Sequence, residues 1–262
     1  MSTELARGII EPSWEAPARV RSLCTTRQGG VSQGPYASLN LAEHVGDDLD
    51  LVAANRRLLR QALALPGEPF WLTQVHGREV QLLESGDASG HQSLTCEADA
   101  AVTTEPGGVC VVMSADCLPI LLCNACGTAV AAVHAGWRGL LVGVIEAAVQ
   151  RLRELDSQAS EHRIMAWLGP AIGPDAFEVG SEVYQQFCER DAGAAAAFKP
   201  GANGRYMADL YDLARQRLAA SGVQDISGGA FCTWSDPERF FSYRRDGRTG
   251  RMASMIWIEP RH

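Results

Sequence analysis

The stretch from Ala115 to Gly139, ADCLPILLCNACGTAVAAVHAGWRG, consists of two apolar runs about a short break. Leu118 to Cys123 is the first run, Asn124 to Gly127 the break, and Thr128 to Val133 the second run. An Asn-containing, Gly-terminated break between β-rich runs is a hairpin signal. A symmetric turn centred between Ala125 and Cys126 sets Cys123 against Thr128, and the same symmetry sets Cys117 against His134. Directly opposed residues of an antiparallel pair carry Cβ atoms about 4.5–5.5 Å apart on one face. The turn therefore predicts a Cys–His pair at the open end of the hairpin. Such a pair serves as two metal ligands or as a thiolate with its base; a purely structural Cys and His is the plain alternative. After His134 come Ala-Gly-Trp-Arg-Gly and then Leu140, Leu141, Val144, Ile145, Ala148, Val149 and Leu152 at helical spacing, which predicts a helix over 139–155. A strand ending in a reactive residue, a Gly-rich turn and a helix N-terminus together suit an anion or a polar ligand.

Composition narrows the class. In 262 residues the hydrophobic content is 46% and the net charge is −8, with a pI near 5.3. That balance supplies a core and argues against a nucleic-acid surface. No run is long and apolar enough to cross a membrane. The N-terminal MSTELARGIIEPSWEAP lacks the basic and apolar regions of a signal peptide. Eight cysteines without a disulfide rhythm read as reduced thiols, so a cytoplasmic protein is expected.

Outward from the hairpin, residues 18–26 are strand-like and lead into a polar, Gly-rich loop from Arg27 to Leu41 that reads as a binding loop. Asp47, Asp48 and Asp50 cap a helix with an apolar stripe of Leu51, Val52, Leu58, Leu59, Ala62 and Leu63. Arg56, Arg57 and Arg60 form its solvated side. Phe70 to His76 is expected to be a strand ended by Gly77, with His76 at its tip, and Arg78 to Leu83 a further strand. Residues 86–95 read as a polar loop with an exposed His91. Ala98–Thr103, Val109–Ser114, Ile164–Leu168 and Ala253–Ile258 are strands. Residues 156–163 are a polar linker, Ser181 and Asp209 begin helices, and residues 191–206 are expected to be loop. No composition shift or repeat divides the chain, so residues 1–262 read as one α+β domain of mixed sheets flanked by helices.

His76, Cys117 and His134 each fall at a strand end. Zinc takes imidazole nitrogen and thiolate sulfur, and three protein ligands with an open fourth position is the catalytic pattern. Cys123 and Cys126 have knuckle spacing but lie in the turn without a second pair, so they read as turn cysteines. Arg244, Arg245, Arg248 and Arg251 form either a solvated turn or, through Arg244 and Arg245, a phosphate fork. Asp116, beside Cys117, is an orienting group or a local cap.

TTRQGGVSQGPYASLNLAEHVGDD (25–48), TQVHG (73–77), SADCLPILLCN (114–124), AAVHAGWRGL (131–140), LGPAIGPDAFEVG (168–180) and FFSYRRDGRTGRMAS (240–254) together resemble the YfiH family. That family is also called the laccase-domain or multicopper polyphenol oxidase family, and now purine nucleoside phosphorylase. The resemblance spans nearly the whole chain. It implies a single α+β domain in which two mixed β-sheets pack face to face with helices outside. It also implies zinc at His76, Cys117 and His134, with Arg27, Asn40 and Arg245 facing that site. The implied activity is phosphorolysis of adenosine, inosine and S-methyl-5'-thioadenosine, with deamination of adenosine.

Zinc brings water toward ionisation near neutrality, which suits deamination at C6 of adenine. Phosphorolysis needs an anion seat, for which Arg27, Arg245 or the helix near Gly136 supply positive field. Zinc deaminases pair a ligand with Glu in His-x-Glu. This chain has no such pair, which leaves Asp116 or Glu79 as the proton carrier. Six histidines without His-x-His argue against a laccase cluster, although copper can replace zinc at one site by the affinity order. A Cys117–His134 hydrolase acting on an amide of peptidoglycan precursors is the second enzyme class. A zinc-stabilised binding module is the third reading, against which the absent fourth protein ligand stands.

Overall fold

A computed structural model describes residues 8–84, 96–155 and 163–260. Two mixed sheets form its centre. The first joins β1 (Ile9–Ile10), β2 (Val20–Thr25), β3 (Pro69–Phe70), β6 (Val109–Ser114) and β14 (Met252–Ile258) in the order β1-β2-β14-β6-β3. The second joins β4 (Val80–Leu83), β5 (Ala100–Thr103), β7 (Leu118–Asn124), β8 (Val130–Ala135), β9 (Ile164–Leu168) and β13 (Asp225–Gly228) in the order β13-β9-β7-β8-β5-β4. Both are antiparallel at their centres; β3 runs parallel to β6, β4 to β5 and β13 to β9.

Strand alternation explains the layering. Leu121 and Cys123 of β7 point inward, against Cys24, Val112 and Ile256 of the other sheet. Ile120 and Leu122 point outward into one core cluster with Ile145 and Val149 of α3 (Val144–Leu155), Phe187 of α4 (Ser181–Arg190) and Leu213 of α5 (Leu210–Ala220). The outer face of the first sheet, with Leu23, Val111, Met255 and Trp257, is covered by Leu59 of α1 (Leu49–Leu63) and by Leu39 and Leu41 of the long loop. Strands buried on both faces are continuously apolar, as β7 is. The two sheets thus pack face to face with helices outside.

The hairpin forms with a different register. Leu118 pairs with Ala135 and Cys123 with Val130, so His134 faces Pro119 rather than Cys117. The cause is Asn124. Its side-chain oxygen accepts the N–H groups of Thr128 at 2.8 Å and Ala129 at 3.1 Å, drawing Thr128 into a four-residue loop. A shift of two residues preserves the face, so Cys117 and His134 remain on one side as diagonal neighbours. Cys123 is buried between the sheets and Cys126 is exposed, so this pair does not converge.

Other expectations need correction. The run Phe70 to His76 is strand only at Pro69–Phe70. Thr73 makes an isolated bridge with Glu97, and from Val75 on a buried carboxylate takes the N–H groups, as described below. The helix over 139–155 is two helices, α2 (Trp137–Val142) and α3, broken at Gly143 with φ of +96°. Residues 191–206 are not plain loop: β10 (Glu178–Val179), β11 (Phe198–Pro200) and β12 (Tyr206–Ala208) form a small antiparallel sheet. β13 went unread. Arg56 is not solvated; it donates to Leu41 O, pairs with Glu43 and stacks on Trp71. His91 and most of the 156–163 linker lie outside the described residues. No helix among the described residues is long and apolar enough to cross a membrane.

Candidate metal centre

His76, Cys117 and His134 converge, their ligand atoms all within 4.8 Å of one another. The Cys117 Sγ lies 3.8 Å from His76 Nε2, and the two imidazoles meet edge to face with centroids 4.9 Å apart. His134 sits at the end of β8 and is only 3% exposed. Cys117 immediately precedes β7, and His76 lies on the surface-facing side with a left-handed φ of +60°. A Cβ on Gly136 would stand 2.9 Å from Cys117 Sγ and 3.1 Å from His76 Cδ2. Glycine at 136 is therefore what lets the strand end run this close beneath the two ligands.

Asp99, which sequence reasoning missed, completes the centre. It is fully buried, and its Oδ1 lies 2.8 Å from His134 Nδ1. The remaining acceptor capacity takes the backbone N–H groups of Val75, His76 and Gly77 at 3.2, 2.9 and 2.6 Å. Nothing in the local string EADAAV distinguishes this acid from a turn residue; only its distant partners do.

The electrostatics follow from this crowding. Burial opposes ionisation of Cys117, but the charge on His134 and hydrogen bonds from both imidazoles pull the thiol down to about 6. Burial likewise opposes protonation of His134, yet the Cys117 sulfur and the Asp99 carboxylate lift it to about 9. These contacts favour the thiolate–imidazolium form of the pair.

Two imidazole nitrogens and a thiolate are a donor set that zinc takes. With Nδ1 of His134 committed to Asp99, its Nε2 is left as the ligating atom. Tetrahedral zinc separates nitrogen and sulfur ligands by about 3.5 Å, against 3.8 Å for Cys117 and His76 here. The residues fit the ion. Among the described residues this is the one group of three or more His, Cys, Asp or Glu side chains able to hold a metal.

The remaining candidates lie differently. Asp116 has φ of +94°. Its carboxylate accepts the Thr233 hydroxyl at 2.6 Å and the Arg244 N–H at 2.6 Å. Glu79 is exposed, and its backbone oxygen accepts from Asp99 and Ala100. Arg27 donates to Ala37 O and Pro237 O and lies 4.7 Å over Phe241, pinning the long loop to the C-terminal loop. Asn40 is 0% exposed; it donates to Ala42 O and Asp47 and accepts from Ala42 and Arg251. Arg245 is spent on Asp246 and on the carbonyls of Thr233, Trp234 and Phe240.

Each of the four C-terminal arginines donates to backbone carbonyls, and Arg244 and Arg248 are exposed. Arg244 holds Glu178 O, Arg248 holds Gly46 O, and Arg251 holds Thr249 O and Gly250 O. Arg251 stands in the field of the centre. Burial lowers its pKa, and the negative charges of Cys117 and Asp116 act against that.

The fold and this centre define a class: an α+β sandwich with a His-Cys-His cluster at one end of the sheets. The family model described as "Multi-copper polyphenol oxidoreductase laccase" matches residues 21–259, and the chain belongs to that family. The chain is 52% identical to "Purine nucleoside phosphorylase YfiH" of Escherichia coli (strain K12), over 95% of this chain and 98% of that protein. It is also 52% identical to "Purine nucleoside phosphorylase PA4543" of Pseudomonas aeruginosa, with the same coverage. Among solved structures, Neisseria meningitidis protein NMB0706 superposes with a TM-score of 0.88 at 47% identity, covering 97% of this chain and 100% of that one. YlmD from Geobacillus stearothermophilus superposes with a TM-score of 0.86 at 33% identity, covering 93% of each.

Proposed function

We propose that this chain is a zinc-dependent purine nucleoside phosphorylase of the cytoplasm. Its substrates are adenosine, inosine and S-methyl-5'-thioadenosine, and it also deaminates adenosine. The observation that carries this reading is the three-donor centre of His76, Cys117 and His134. The names of the relatives support the substrate class. When bound there, zinc supplies Lewis acidity and brings water toward ionisation near neutrality. The chain supplies the rest. His134 is held through Nδ1, and Cys117 is poised as thiolate. Arg251 adds positive field beside Cys117, which suits a phosphate. Tyr243, 62% exposed and beneath the Arg251 guanidinium at 5.9 Å, offers an aromatic face for a base or ribose. A laccase cluster needs several groups of histidines; the single group among the described residues favours one ion, zinc or copper.

The test is metal content of protein purified without added metal, with adenosine and phosphate turnover assayed before and after chelation. About one zinc per chain, with turnover lost on chelation and restored by zinc, supports the proposal. Bound zinc without nucleoside turnover overturns the substrate assignment. The hydrolase reading draws on a specific observation, the line Cys117–His134–Asp99. It predicts amide hydrolysis by metal-free protein that survives His76→Ala and is abolished by Cys117→Ala.

A further inference from the structure

The backbone from Val75 to Gly77 wraps one carboxylate. Three successive N–H groups point at Asp99. Such a concave arrangement of N–H groups is an anion nest, and it requires a residue in the left-handed region. That residue is His76, at φ +60°, a conformation uncommon for any non-glycine residue. The same carboxylate reaches His134 Nδ1 at 2.8 Å, and the Asp99 carbonyl accepts the His134 N–H at 2.7 Å. His134 is thus held twice by one residue, at ring and backbone. A buried ionised carboxylate is costly alone, and four N–H donors offset that cost.

We propose that Asp99 is the positioning residue of this centre, a single carboxylate that sets both imidazole donors by two different routes. It reaches His134 through the ring, fixing Nδ1 as the protonated nitrogen and turning Nε2 toward the sulfur. It reaches His76 through the backbone, by stabilising the left-handed turn that delivers the side chain to Cys117. Neither route involves contact with substrate. The consequence for metal rests on the zinc reading above; the positioning does not.

Two measurements on the full chain test it. In wild-type protein, NMR of the histidine ring nitrogens should show a downfield His134 Nδ1 proton protected from solvent exchange. Zinc affinity, measured by competition with a chromophoric chelator, should fall about ten- to a hundred-fold in Asp99→Asn. The absorption spectrum of the cobalt-substituted variant should change as well, because the ligand geometry changes. Asp99→Asn that binds zinc as tightly as wild type with the same cobalt spectrum overturns the proposal. So does wild-type protein without the protected Nδ1 proton, a readout that needs no folded variant. Wild-type protein that shows the proton yet takes up neither zinc nor cobalt supports the positioning role of Asp99 and brings down the metal reading instead.

Discussion

Thr233 donates its hydroxyl to Asp116 at 2.6 Å, tying the C-terminal loop to the residue beside Cys117 across 117 positions of sequence. The other carboxylate oxygen of Asp116 takes the Arg244 N–H at 2.6 Å. These two bonds anchor Asp116 beside Cys117. Thr233→Val should destabilise the protein by about 1–3 kcal/mol, because a buried acceptor is left unmet. Asp116→Asn should lose stability as well, while keeping measurable turnover. Urea unfolding alongside the nucleoside assay checks both. Turnover lost in Asp116→Asn at unchanged stability would support the proton-carrier role instead.

Gly136 tests the closeness of the ligands. Its own φ of −67° suits any residue, so Gly136→Ala probes space alone. The added methyl meets Cys117 Sγ and His76 Cδ2. It should cost about 1–3 kcal/mol by overpacking and lower zinc affinity roughly tenfold or more. Chelator competition on protein with an unchanged circular dichroism spectrum measures it. Wild-type affinity in the variant would mean that the ligands do not need this proximity.

The thiols should separate by pH. The lowered pKa of Cys117, about 6, means that thiolate is already present above that pH. Its alkylation rate in metal-free protein should rise between about pH 5 and 7 and flatten above, since the thiolate is the nucleophile. Cys24 and Cys123, pushed up to about 12 by burial, should not react in the folded chain. Cys232 comes second. Burial opposes its ionisation, but hydrogen bonds from Ser235, Gly173 and Trp234 outweigh it. Mass spectrometry after iodoacetamide pulses resolves the order, and zinc should protect Cys117.

Arg245 separates an anion seat from a brace. Its guanidinium bonds Asp246 and three backbone carbonyls. Arg245→Ala should lower stability by about 1–3 kcal/mol and leave the KM for phosphate near its wild-type value. Arg251→Ala should raise that KM, because the Arg251 charge interacts with that of Cys117. A raised phosphate KM in Arg245→Ala at full stability would return Arg245 to the substrate.

Much of the layout is legible in the chain. The apolar continuity of Leu118–Cys123 and Val130–Val133 marks strands buried on both faces, and the motifs around His76, Cys117 and His134 mark the centre. The difference in hairpin register is local: backbone patterns do not reveal that the Asn124 side chain takes two N–H groups and moves the four-residue loop one position on, to 125–128. Beyond Phe70 the run makes only an isolated bridge, Thr73 with Glu97, and the N–H groups of Val75, His76 and Gly77 go to the distant Asp99.

Sequence by itself determined the residues of the His-Cys-His centre and the interleaved strands and helices, because hydrophobic period and residue chemistry are properties of the string. Tertiary structure alone decided what the other polar groups do. Asn40 and Arg245, which motif matching directs to the site, also bond Asp47, Asp246 and backbone groups, while Asp99 bonds His134 and Arg251 interacts with the charge of Cys117. The reason is that a hydrogen bond or a Coulomb interaction acts through space. Which of the many acids and arginines lies within reach of Cys117 and His134 is set by how two sheets and a loop pack, not by distance along the chain.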